Sequence, residues 1–128
     1  MSDASDPIEW ARYAEEDFRV AKSVLRKMKP PTHIAAFHAQ QSCEKYLKAL
    51  LLSKGITFTK IHDLLALDSM CIEAGVLVGI PSKVLGRLTE YAIHTRYPGV
   101  ELTLEEARDA IAIASSVRKF ARSFLGLG

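Results

Sequence analysis

Residues 37–55 predict one long α-helix with two different faces. Apolar side chains recur there with the helical period, at Ala39, Cys43, Tyr46 and Leu50. Polar and basic side chains recur on another face, at spacings of three, four and three residues: His38, Gln41, Lys45 and Lys48. A glycine at residue 55 follows the pattern, where a helix commonly ends. A helix of this kind can pack with one face while the other remains open to a ligand.

The helix before it is predicted from its first residues and its apolar stripe. It begins at Asp6 and Pro7, an N-cap residue followed by a proline, and Glu9 stands where a capping box would need it. Its apolar residues recur every three or four positions: Trp10, Ala14, Phe18, Ala21 and Leu25. Two prolines, Pro30 and Pro31, separate the two helices.

Three more helices follow in the second half of the chain. A short third helix follows Asp63, and a fourth runs from Ser82 to about residue 95. The fifth begins at Thr103, which forms a capping box with Glu106. We therefore predict an all-α fold, an antiparallel up-and-down four-helix bundle with an additional short helix, in a single domain over residues 1–128.

Composition narrows the class of protein but does not identify its ligand. A hydrophobic fraction of 48% and a charged fraction of 25% are ordinary for a globular domain, and the net charge of +2 means that nucleic-acid binding would need a local basic surface. Cys43 and Cys71 are expected to be buried free thiols, with a disulfide as the alternative. Neither a metal site nor a cofactor is expected. With no signal sequence and no long apolar run, we expect a cytoplasmic protein without a membrane segment.

Three segments together carry a family resemblance. They are the helix FHAQQSCEKYLKALLLSKG, the His-Asp-Leu of residues 62–64 and the Thr-Arg-Tyr-Pro-Gly of residues 95–99. In this order and separation they resemble the HEPN family, over about residues 10–125. The resemblance implies a helical bundle, a homodimer, nucleotide or RNA binding, and frequent pairing with a minimal nucleotidyltransferase, which here would be a separate polypeptide.

Arg96 and Tyr97 are candidate ligand-binding residues because they precede a Pro-Gly turn. A guanidinium beside a turn with exposed amides can hold a phosphate, and the tyrosine could stack on a base. The alternative is structural: Arg96 pairs with a carboxylate such as Glu90 or Glu44, and Tyr97 closes the end of the bundle.

Arg87 and His94 are candidate catalytic residues. Many ribonucleases of the HEPN family carry an arginine, four to six residues and a histidine, and six residues separate Arg87 from His94. His94 would transfer protons and Arg87 would hold the scissile phosphate, without a metal. Leu88 stands where nuclease members commonly have a polar residue. Family members are silenced by nucleotide addition to a tyrosine near the histidine, which makes Tyr97 the modification candidate. The alternative is a solvated helix face.

The polar face of the long helix, with His38, Gln41, Lys45 and Lys48, would line a cleft with Arg96. The alternative is a half-exposed face on which the histidine is hydrogen-bonded to a neighbouring helix.

Two smaller polar groups have simpler expectations. Asp63 is expected to cap the third helix while His62 bonds to a loop carbonyl; a His-Asp acid-base pair is the alternative. Arg108, Lys119 and Arg122 would be solvated or would extend an RNA-binding surface.

The wide apolar arc of the long helix favours a homodimer. Four large side chains carry that arc: Tyr46, Leu47, Leu50 and Leu51. A helix apolar over so wide an arc is buried on more than one side. The sequence thus predicts a HEPN-type nucleotide- or RNA-binding protein of a toxin-antitoxin-like two-component system with a nucleotidyltransferase partner. The alternatives are a metal-independent endoribonuclease toxin that uses Arg87 and His94, or a purely structural docking subunit.

Overall fold

The computed structural model of the chain describes residues 6–58, 60–94, 99 and 101–128, and for His94 only its place in a helix. Within these residues there are five α-helices: α1 (Pro7–Val24), α2 (Thr32–Ser53), α3 (Leu64–Glu73), α4 (Ser82–His94) and α5 (Leu104–Phe124). No strand occurs in this part of the chain. The all-α prediction is confirmed. None of the described helices combines the length and the apolar character that a membrane span requires.

The predicted starts of α1 and α5 are confirmed by their capping bonds. The Asp6 carboxylate accepts from the Ile8 amide at 2.9 Å. Thr103 and Glu106 form both bonds of a capping box, at 3.0 Å and 2.9 Å. These bonds satisfy amides that the first turn of a helix leaves without an internal partner.

Two local expectations need correction. The Glu9 carboxylate binds the Arg12 guanidinium, at 2.7 Å and 2.9 Å, in place of the expected capping box. The long helix α2 begins at Thr32, five residues before the predicted start. The Thr32 hydroxyl donates to the carbonyl oxygen of Leu102 at 2.8 Å and ties this start to the segment before α5. At its other end Gly55 has φ +72°, a left-handed conformation that favours glycine and closes the helix as predicted.

Helices α2 and α5 form the centre of the bundle, and α1 and α4 pack on opposite sides of this pair. Thr32 lies near Leu102 and Tyr46 near Arg122, so α2 and α5 run in the same direction. Helix α3 packs on α2 and α4. Within the described residues α1 and α4 are not in contact. The arrangement is consistent with the predicted up-and-down bundle, in which the parallel helices α2 and α5 lie diagonally across from each other and in contact.

The apolar arc of α2 is buried within a single chain. Tyr46, Leu47, Leu50 and Leu51 are all fully buried by the neighbouring helices. The inference from this arc to a homodimer is therefore wrong, because the arc is wide to match several neighbours of the same chain. The homodimer itself remains a prediction.

The two cysteines are free, buried thiols, as expected. The Cys71 thiol lies 3.9 Å from the carbonyl oxygen of Leu47. Burial raises the pKa of Cys71 to about 12 and also raises the pKa of Cys43. Both thiols therefore stay protonated and unreactive in the folded protein.

Candidate functional site

His38 and Lys45 are brought together by a carboxylate from α1. His38 Nδ1 lies 2.8 Å from one oxygen of Asp17, and Lys45 Nζ lies 2.5 Å from the other. The Asp17 side chain is only 12% exposed, whereas those of His38 and Lys45 are 28% and 27% exposed. A buried carboxylate thus holds two basic groups at the surface in fixed orientations, and Nε2 remains the ring nitrogen of His38 that can meet a ligand.

Gln41 belongs to the same face. It lies half-buried, one turn after His38 and one turn before Lys45. The structure therefore gathers an imidazole, a carboxamide and an ammonium group on one accessible strip of α2. Such a set can donate several hydrogen bonds to an anionic ligand.

Lys48 does not lie on this accessible strip, and the expectation that it does is wrong. It is 3% exposed, and its Nζ donates to Glu44 at 2.9 Å. The rings of Trp10 and Phe58 cover the ammonium group, with centroids 5.3 Å and 5.0 Å away. The two rings meet edge to face. Lys48 is thus a buried, paired cation, and we leave it out of the binding face.

His62 completes this buried pair from the loop before α3. Its Nδ1 lies 2.9 Å from the same Glu44 oxygen that Lys48 binds, while 69% of its side chain is exposed. The expected bond from His62 to a loop carbonyl is therefore wrong. Asp63, however, caps α3 as predicted, since its carboxylate accepts from the Leu65 amide at 3.3 Å. The adjacent Asp63 is not the carboxylate that orients His62.

Arg87 is held by a carboxylate from α5. Its guanidinium makes two bonds to Asp109, at 2.7 Å and 3.2 Å, and the Tyr91 hydroxyl donates to the same carboxylate at 2.7 Å. The bonds from Arg87 hold the pKa of Asp109 below its usual range. Burial raises the pKa of Tyr91, and its hydrogen bond to Asp109 adds to this. Arg87 is thus exposed but not free of a counter-charge.

A groove of about 490 Å³ opens beside Arg87. Residues 78–81, Val84 and Ile113 form most of its apolar wall, while Arg87, Asp109 and Ser116 supply polar groups. His94 ends the same helix, two turns further along α4. The structure thus confirms that Arg87 and His94 share one helix, and it leaves their catalytic role a prediction.

Arg96 and Tyr97 lie outside the described residues, so their placement beside the α2 face stays a prediction. The turn that follows them is described at Gly99, which has φ +87°. This left-handed conformation favours glycine, in keeping with the Pro-Gly turn expected from the sequence.

Comparison with known families decides the kind of protein. The HEPN domain family matches residues 8–124, which is nearly the whole chain. The chain belongs to the HEPN family. The resemblance read from its three short segments is thereby confirmed.

Solved structures with the same fold include a HEPN homologue. TT1696 from Thermus thermophilus superposes with a TM-score of 0.72 at 25% identity, covering 91% of this chain and 96% of that one. ST0689, an archaeal HEPN homologue, gives a TM-score of 0.69 at 21% identity, with 94% and 98% covered. In sequence, this chain is 29% identical to "Putative toxin MJ1304" of Methanocaldococcus jannaschii, over 98% of this chain and 94% of that protein.

The carboxylates of this HEPN chain are the residues that sequence reasoning missed. Asp17 fixes two of the basic candidates, and Glu44 and Asp109 fix one each, yet none of the three was predicted as part of a site. One signal was present for Asp17, a charged residue within the apolar stripe of the first helix, next to Phe18. A buried carboxylate in such a stripe needs a partner from another helix.

Proposed function

We propose that this HEPN protein is the toxin-like member of a two-component system. In this proposal it binds a phosphate-bearing nucleotide or RNA on the accessible strip of α2 and works with a separate nucleotidyltransferase. The observation that carries the proposal is that one buried carboxylate, Asp17, holds both His38 and Lys45 at the surface. Family membership and the toxin named among its relatives support the two-component role.

The chemistry of the α2 strip suits an anion for a specific reason. Asp17 carries a single negative charge but contacts two basic side chains, so the ammonium group of Lys45 has further hydrogens to donate to an anionic ligand beside the open edge of the His38 ring. Both side chains are already oriented, which reduces the conformational entropy lost when a ligand binds. In the proposal, Arg96 adds a bidentate phosphate contact and Tyr97 adds a stacking surface.

If the α2 strip and Arg96 bind the ligand, Lys45→Gln and Arg96→Ala should each weaken ligand binding. Loss of one charge-assisted hydrogen bond removes about 1.5–3 kcal/mol, so each variant should bind its nucleotide or RNA roughly 10-fold or more weakly. Calorimetric titration with each common nucleoside triphosphate and with a short RNA measures this. Lys83→Gln, an exposed lysine at the start of α4, is the matched control. Arg96→Lys should restore only part of the affinity. Equal affinities for all variants and wild type would exclude this site.

The two-component role has its own test in cells. Production of this chain alone should slow bacterial growth, and, where a nucleotidyltransferase is encoded beside its gene, co-production of that enzyme should restore growth. Tyr97 is the proposed acceptor of the nucleotide, and a modified tyrosine would carry negative charge to where an RNA phosphate binds. Normal growth under strong production of the chain alone would argue for a docking subunit instead.

A homodimer forms part of the proposal. Its support within the described residues is a set of exposed apolar side chains beside the α2 strip: Tyr13 and Val20 on α1, and Ile34 and Phe37 on α2. Pairing of two copies is the commonest way to bury such a surface. The mass of the protein in solution is the direct measurement.

Metal-independent RNA cleavage is the second candidate function. It is favoured by the groove beside Arg87, whose apolar wall could hold a base next to a phosphate. The two bonds from Arg87 to Asp109 weigh against it, because a guanidinium paired in this way attracts a phosphate less strongly. The α2 strip places two basic residues on one carboxylate, whereas Arg87 is the one basic residue among the described residues that line the groove, so we place binding before cleavage.

Cleavage, if present, should depend on two residues of α4. His94→Ala should lower the rate by about 100-fold or more, the usual contribution of general acid-base catalysis, and Arg87→Ala should act similarly. The assay uses total RNA in EDTA, since no metal is required in this scheme. Asp109→Asn releases Arg87 from its counter-charge and should leave cleavage at least as fast as in wild type. Cleavage that survives in the double variant Arg87→Ala/His94→Ala would contradict the assignment.

A further inference from the structure

Positive charge is concentrated on one face of α1. Arg19, Lys22 and Arg26 follow one another at spacings of three and four residues and therefore line the same side of the helix and its closing turn. All three are exposed. The carboxylates of the neighbouring face are already paired: Glu9 and Glu16 bind Arg12. The helix is thus divided into a basic side and a mixed side.

A second basic row faces this one from α5. Arg118 and Arg122, four residues apart, share a side of α5. The two helices run antiparallel: Glu15 of α1 meets Arg118, while Val24 packs against Ala107 at the other end. The basic rows therefore border one valley between α1 and α5, which we call the α1–α5 valley.

At one end of this valley, three arginines surround a single carboxylate. Arg118 makes two bonds to Glu15, at 2.6 Å and 2.8 Å, and Arg122 and Arg19 each approach it to 3.8 Å. The Tyr46 hydroxyl also donates to Glu15, at 2.6 Å. Arg122 Nε donates a hydrogen bond to the carbonyl oxygen of Gly128 at 3.0 Å. One carboxylate cannot neutralise three guanidinium groups, so positive charge remains.

The next positions along the valley add charge without adding a carboxylate. Lys22 places its ammonium group over the ring of Phe18, 5.6 Å from the centroid, and the Arg118 guanidinium lies over the same ring at 5.0 Å. An aromatic ring attracts a cation but does not cancel its charge. The five basic residues of the valley, Arg19, Lys22, Arg26, Arg118 and Arg122, therefore outnumber Glu15, the carboxylate that pairs with three of them, in a chain whose net charge is only +2.

We propose that the α1–α5 valley binds the phosphodiester backbone of RNA. From Arg19 to Arg26 the basic row extends about 10 Å, at 1.5 Å per residue, so it can contact more than one phosphate of the same strand. A row of this length suits a polyanion better than a single phosphate. The inference rests on the proposed function in taking RNA as the ligand, but it uses the flank of α1 opposite Asp17 and none of the α2 strip.

Charge reversal at two exposed positions tests the valley. Arg19→Glu/Arg26→Glu should lower affinity for a fluorescein-labelled 20-nucleotide RNA, measured by anisotropy over a range of salt concentrations. Loss of two phosphate contacts should reduce the slope of log K against log salt by about 1.4, which is about 25-fold in affinity at 0.1 M salt. The control is Lys60→Glu/Lys83→Glu, which changes net charge equally at exposed positions outside the valley. The control should keep nearly the wild-type slope.

Three results would overturn the inference. They are equal slopes for the test and control variants, no RNA binding by wild type at low salt, and displacement of RNA by an acidic polyglutamate peptide at lower concentration than by unlabelled RNA. The last would indicate an acidic protein partner. Failure of the proposed function is distinguishable from this, because Lys45→Gln and Arg96→Ala are also titrated with nucleoside triphosphates, which are too small to need the valley. Circular dichroism confirms that each variant keeps its helices.

Discussion

Replacing Glu44 by alanine is expected to lower the free energy of unfolding by about 3–5 kcal/mol. The change leaves the buried ammonium group of Lys48 without its carboxylate, and only aromatic rings and His62 remain nearby. For a chain of this size the midpoint of thermal unfolding should fall by roughly 10–20 °C. Thermal and urea unfolding followed by circular dichroism measure the effect.

A control and a rescue separate the buried charge from the loss of side-chain volume. Glu73→Ala removes an exposed carboxylate of α3 and should change stability by less than about 0.5 kcal/mol. The double variant Glu44→Leu/Lys48→Met should recover most of the stability that Glu44→Ala loses, because apolar residues can replace a buried ion pair at little energetic cost. If Glu44→Ala were as stable as Glu73→Ala, Lys48 would not depend on this carboxylate.

Replacing Glu15 by glutamine should lower the free energy of unfolding by about 2–3 kcal/mol. Glutamine keeps the size of the side chain but loses the charge that Arg118, Arg122 and the Tyr46 hydroxyl share. Tyr46 is fully buried, so its hydroxyl cannot turn to water for a new partner. Glu16→Gln, one residue along the chain and mostly exposed, is the matched control and should have little effect.

The pH dependence gives a second readout for Glu15. The hydrogen bond from Arg118 is the main reason that the pKa of Glu15 falls from 4.5 to about 2. Because the folded pKa is the lower one, the stabilising effect is complete above about pH 4.5 and is lost as the pH falls towards 2. The stability difference between wild type and Glu15→Gln should therefore shrink over this window. A difference that stayed constant from pH 6 to 2.5 would show that the charge of Glu15 is not responsible.

Local sequence signals predicted the helices because helices are set by residues close together in the chain. The caps at Asp6, Asp63 and Thr103 were all recognisable, since each bond spans two or three residues. The bonds of the site span much longer separations. Asp17 bonds to His38 and Lys45, which are 21 and 28 positions further along the chain, and Glu15 bonds to Arg118, which is 103 positions further along. No periodicity within one helix can specify such pairs.

The misplacement of Lys48 has a geometric cause. At 3.6 residues per turn, ten residues carry Lys48 about 80° around the helix from His38, so it reaches the edge of the polar face. There it contacts Glu44, Trp10 and Phe58 instead of solvent.

The apolar arc of α2 was ambiguous for a different reason. The spacing of its residues shows that this face must be buried, but it does not show whether the same chain or a second copy covers it.

The separation of α1 from α4 allows the two sides of the protein to diverge independently. Helix α4 carries Arg87 and His94, α1 carries Asp17 and the basic row, and the two meet only through the central pair α2 and α5. Energetic coupling between distant residues passes through packed contacts. Substitutions that change the binding surface of α1 therefore leave the surface of α4 largely unchanged, and the reverse also holds, provided that the α2–α5 core stays rigid. During evolution, the ligand bound by the α1 side of such a domain can therefore change while the function of the α4 side is kept.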